Sequence, residues 1–324
     1  MNKRNIIKTI IWLIFLGAVA FAIINFQALK DTYFAMTFSP SNEISEIEKS
    51  LELTDKGHRI FFASSPVINT ADDFNQNCKS AGEDVSTLGC YNGQRIYIYN
   101  IDSEELKGIK ESTAAHELLH AVWQRLSTAD RENLIPTLES VYEKSSEDFK
   151  KTLKTYDESA KTEEIYVRSA TQIKSLPENL EKHYAEIFED QDRIVDFYES
   201  YIAPFNAIEQ ETEALHAELD EIMARIEQGR ADYDVRSTNF STAVTEFNDC
   251  ASVAGCFASN YAFSTRRSEL LAEQSSLNDL LNSINADIDL YNSKAELYNS
   301  KVIHGRELNS IINSKQPEIE QIAE

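Results

Sequence analysis

Residues 113–122 read Thr-Ala-Ala-His-Glu-Leu-Leu-His-Ala-Val, and the pattern inside this stretch organises the rest of the chain. Ala114, Ala115, Leu118, Leu119, Ala121 and Val122 carry no charge, which suits a helix buried in a core. On such a helix His116 and His120 stand one turn apart and share a face. Two imidazoles so placed can grip one Zn²⁺, while Glu117 leans toward a water on the same ion.

This segment resembles the zincin metallopeptidases, specifically over Thr113–Val122 and more loosely from His58 to Tyr201. The resemblance implies His116 and His120 as zinc ligands and Glu117 as general base. It also implies a protein or peptide substrate. Trp123 and Leu126 occupy the places where one branch would carry glycine and a third histidine, so the resemblance narrows to the gluzincin type. That type takes a glutamate from a later helix. Thr162-Glu163-Glu164-Ile165-Tyr166-Val167-Arg168 offers two adjacent carboxylates, which point about 100° apart on a helix. Glu164 is the expected third ligand, because Ile165, Val167 and Ala170 place the segment in the interior, where a carboxylate needs a cation. Glu163 and His183 remain open as alternatives. Arg168 stands four after Glu164, where the family often has aspartate. His183 and Tyr184 are expected to donate to a developing oxyanion, with Arg168 and Arg193 as weaker choices.

The amino terminus carries Lys3, Arg4 and Lys8, then an apolar run to Phe26. From Ile6 this is about the 20 residues that cross a bilayer. The charge bias keeps the amino terminus cytoplasmic and the bulk of the chain extracytoplasmic, as a single-pass membrane protein. A cleaved signal peptide ending near Ala18-Val19-Ala20 is the rival. The four cysteines suit export, and local pairs Cys78–Cys90 and Cys250–Cys256 are the simplest of three connectivities. A net charge of −23 argues against nucleic acid as a partner.

Ser41–Leu53 reads as a helix, and Arg59–Ala63 and Arg95–Tyr99 read as strands. By resemblance, the second of these is the edge on which an extended substrate pairs. Thr128–Tyr198 reads as helical, punctuated by Pro136 and Pro177. Beyond Pro204, Leu219, Ile226, Tyr233, Phe240 and Phe247 recur every seven residues, as do Leu270, Leu277, Ile284, Tyr291 and Tyr298. Such heptads demand a partner helix. An antiparallel coiled-coil hairpin with arms of about 60 Å is expected rather than a parallel oligomer.

The expected fold is mainly α (α+β), in three parts. Residues 1–30 form a cytoplasmic tip and transmembrane signal-anchor. Residues 31–200 form a zincin-like catalytic domain with a small β-sheet, and residues 201–324 the hairpin. The expected function is a membrane-anchored zinc metallopeptidase. A non-enzymatic envelope scaffold, binding a partner protein or itself through the hairpin, is the alternative.

Overall fold

A computed structural model describes residues 25–78, 88–154 and 156–315, with residues 12, 13, 15–17 and 19 near the amino terminus. The expected membrane anchor falls largely outside these residues. Among those described, no helix is long and apolar enough to cross a membrane, so they lend the single-pass placement no support.

The protein is mainly helical with one small sheet, and it divides into two compact units. The first spans residues 1–204 and 309–324. Its opening helices are α1 (Phe26–Thr37), α2 (Asn42–Leu51) and α3 (Asp55–Ala63). Ser41 caps α2 by accepting from the Ile44 amide at 3.2 Å, and Thr54 caps α3 by accepting from Gly57 at 3.1 Å.

Helix α3 overturns the strand expected at Arg59–Ala63. Aromatic and β-branched composition suggested a strand, but the Thr54 cap and Asp55 in the first turn start a helix. Burial of Gly57, Ile60 and Phe61 follows helical spacing.

Strands β1 (Val67–Asn69), β2 (Gly89–Tyr91) and β3 (Ile96–Tyr99) make the sheet, in the order β1-β3-β2, with α4 (Ala71–Asn77) after β1. Strand β3 runs parallel to β1, with Val67 opposite Tyr97, and antiparallel to β2, with Cys90 opposite Tyr97. The strand expected at the rim of a cleft is therefore the central one, and β2 lies outside it. The Cys78–Cys90 disulfide ties the end of α4 to β2.

Helix α5 (Ile109–Arg125) carries the two histidines. It starts at Gly108, whose φ of 88° and close approach to the Phe197 carbonyl (2.7 Å from a built Cβ) both require glycine. Ala114, Ala115, Leu118, Leu119 and Ala121 are completely buried, as the uncharged run predicts. Around α5 pack α2, α3, β2, β3 and α8 (Glu158–Gln172). Between α5 and α8 in sequence lie α6 (Thr128–Lys144) and α7 (Glu147–Thr152). Pro136 sits inside α6, and Pro177 caps α9 (Glu178–Tyr184).

Arg125, at the end of α5, grips Asp31 of α1 through two hydrogen bonds of 3.0 Å. It also donates to the Tyr91 hydroxyl of β2 at 3.1 Å. One guanidinium thus joins the histidine helix to both α1 and β2.

The second unit, residues 205–308, is built from the arms of two long helices, α10 (Gln191–Ala251) and α11 (Asn260–Ile312). Leu215, Leu219, Ile222 and Ile226 of one arm and Leu277 and Ile284 of the other are buried at the heptad seam. Ion pairs Glu211–Lys301, Glu218–Lys294 and Arg225–Asp287 fix the arms as antiparallel. At the tip, Cys250 bonds Cys256 and the rings of Phe247, Phe257 and Phe263 cluster 5.1–5.4 Å apart. The expected hairpin is what the heptads build.

Candidate functional site

Helices α5 and α8 lie against each other, and their facing side chains make the one group of potential metal ligands found among the described residues. His116, His120 and Glu164 each present an atom within 4.8 Å of the others. The two imidazole Nε2 atoms are 3.3 Å apart. Glu164 Oε1 lies 3.2 Å from His120 Nε2, and Oε2 lies 3.9 Å from His116 Nε2.

Glu163 takes a different place from its neighbour. Its carboxylate meets His120 at Nδ1, 2.8 Å away, on the far side of the ring. The two adjacent glutamates thus hold one imidazole from both edges. Arg168, one turn beyond Glu164, donates to Glu164 Oε2 at 3.0 Å. Arg168 also lines a cleft of about 690 Å³ with Val141, Phe149, Leu176, Pro177 and Tyr198.

The electrostatics follow from this enclosure. Burial lowers the His116 pKa to about 3. Burial also acts to lower that of His120, but hydrogen bonds to Glu163 and Glu164 and the nearby charge of Glu117 overcome it, giving about 10. Burial would raise Glu164, yet His120, His116 and Arg168 hold it well below the usual carboxylate range.

Glu117 is buried at 5% exposure, next to the Gly89 backbone. A Cβ built on Gly89 would stand 2.8 Å from Glu117 Oε1 and 2.6 Å from Thr113 Cγ2. Strand β2 thus passes over the helix directly at the carboxylate.

The other two expected site residues serve elsewhere. Tyr184 is fully buried, and its hydroxyl donates to the Tyr166 carbonyl at 2.7 Å. That bond uses the only proton it could offer an oxyanion. His183 pairs through Nε2 with the Tyr166 hydroxyl at 3.0 Å, outside the ligand group. Burial lowers its pKa, with Lys56 acting in the same direction. Arg193 is spent on the Ser50 carbonyl and Glu52.

Glu163, open in the sequence as an alternative third ligand, instead stands behind His120. Gly89 above Glu117 and the Asp31–Arg125 pair escape sequence reasoning, the Gly-Cys step in a disulfide loop being a faint signal for the first.

A family model described as haloacid dehalogenase-like hydrolase matches residues 41–225, more than half of the chain. On that match alone, the chain belongs with the haloacid dehalogenase-like hydrolases. No curated protein and no solved structure matches. The match stands against the expected zincin peptidase, and it lends nothing to the scaffold alternative. The peptide bond as target thereby loses the warrant it drew from resemblance.

The structure, for its part, does not fit the match. Hydrolases of that description typically use Mg²⁺, and in an open parallel sheet a ligand site lies at the carboxyl ends of the strands. Among the described residues the sheet has three strands and one parallel pair. Past the ends of that pair, Asp72, Asp73 and Asp102 are exposed and join no ligand group. The matched span also stops in the middle of α10, beyond the boundary between the two units. Nor does the ligand set suit Mg²⁺, which takes oxygen donors and keeps several waters. Two imidazoles and one carboxylate suit zinc or a neighbouring transition ion. A sequence likeness carries a function only where its working residues are present, and here the described residues supply a different set.

Proposed function

We propose that the chain is a metal-dependent hydrolase whose ion, of the Zn²⁺ class, is held by His116, His120 and Glu164. The family match supplies hydrolysis as the reaction class. The reading rests on one observation: three donors of the right chemistry, from two helices, converge within 4.8 Å, with Glu164 buried and both histidines half-buried. An ion there would acidify a water at its open position and draw charge from the bond under attack.

The remaining work belongs to the protein. Glu117 is the carboxylate that takes the proton and returns it to the leaving group. Its burial beneath Gly89 keeps bulk water from competing for it. Glu117 sits on the same helix as both histidines, so one rigid element sets base and ligands together.

The test assays the purified protein on a panel of carboxylic-ester, amide and phosphate-ester substrates, as wild type, Glu117→Gln and His116→Ala. Hydrolysis lost in both variants, with metal retained in Glu117→Gln, supports the reading. Phosphate-ester turnover that needs Mg²⁺ and survives His116→Ala would instead return the chain to the chemistry of the matched family.

A further inference from the structure

The two charged neighbours of the ligand set have no part in the chemistry above, yet both are directed at it. Glu163 meets the outer nitrogen of His120, and Arg168 meets the outer oxygen of Glu164. Neither is a surface ion pair. The His120 side chain is 17% exposed and that of Glu164 6%, so each contact lies where solvent screens little.

We propose that Glu163 and Arg168 are positioning residues that aim the ligands at the ion, a role that rests on the metal-site reading above. Glu163 accepts from His120 Nδ1–H. That bond fixes the tautomer and leaves Nε2, the atom facing Glu164 and His116, free to bind. Arg168 occupies Glu164 Oε2, so that Glu164 would hold an ion through Oε1 and leave room that a two-oxygen carboxylate would fill. Spacing explains how a short segment does this. Glu163 and Glu164 diverge by about 100° and reach two edges of one ring, while Arg168 lies one turn from Glu164 on its own face.

The experiment titrates Co²⁺ into the metal-free full chain and follows its visible absorption, with urea midpoints measured in parallel. In Glu163→Ala the Co²⁺ affinity should fall about 10- to 100-fold. In Glu163→Gln, whose amide oxygen still accepts from Nδ1–H, it should recover most of that loss. In Arg168→Ala the visible bands should weaken, as Glu164 supplies a second oxygen and the coordination number rises. Wild type that binds Co²⁺ beside a Glu163→Ala that binds equally well, and an Arg168→Ala spectrum unchanged, would overturn the positioning role and leave the metal site standing. Wild type that binds no Co²⁺ would overturn both. Should Glu163→Ala unfold, Glu163→Leu, which fills the space but accepts no hydrogen bond, takes its place: a Co²⁺ affinity at least about tenfold below that of Glu163→Gln supports the role, and an affinity equal to wild type overturns it.

Discussion

Gly89 and Glu117 meet without a side chain between them: a Cβ on Gly89 would lie 2.8 Å from the Glu117 carboxylate. Strand and helix approach this closely because the strand residue is glycine, and the carboxylate is thereby fixed in place. Gly89→Ala must push Thr113 and Glu117 aside, costing about 1–3 kcal/mol of stability by overpacking. Under the proposed function, hydrolysis should fall by more than that destabilisation accounts for, since the displaced group is the one proposed to carry the proton. Urea midpoints beside turnover check this, and full turnover in a destabilised Gly89→Ala would separate Glu117 from the reaction.

The Asp31–Arg125 pair predicts a second outcome. Both side chains are largely buried, at 6% and 14% exposure, so removing one leaves the other charged and unpaired. Arg125→Met or Asp31→Leu alone should each cost about 3–5 kcal/mol. The double variant should lose clearly less than the sum of the two. Chemical denaturation of all four proteins measures the coupling, and strict additivity would show that the pair is not held as described.

His183 predicts an acid-side effect. Burial lowers its folded-state pKa below the ordinary value of 6.5, so in acid the unfolded chain binds a proton that the folded protein resists. Its contribution is present above pH 6.5 and is lost as pH falls below it. Wild-type midpoints at pH 7.5 and pH 5 should therefore differ more than those of His183→Gln. Equal pH slopes in the two proteins would place the imidazole in water.

What the sequence made legible was local. The helix of the two histidines, both disulfides and the heptad hairpin depend on spacings of a few residues that sequence order preserves. Arg59–Ala63 was misread because its aromatic run suits a strand, while the deciding cap, Thr54, lies outside it. Tyr184 and His183 were assigned by resemblance, but Tyr166 claims both, a contact made only when α8 and α9 pack. The grip of Arg125 on Asp31, 94 residues away, had no local trace at all. The split roles of Glu163 and Glu164 were half visible: the pair was evident, the edge of His120 that each would take was not.

A metal analysis of the purified protein tests the central claim most directly, comparing wild type with Glu117→Gln and Glu164→Ala. Wild type and Glu117→Gln should each carry one Zn²⁺-class ion per chain, and Glu164→Ala should lose it while staying folded. A wild-type protein that takes up no such ion from zinc-containing buffer, or a Glu164→Ala protein that keeps its full complement, would contradict the account.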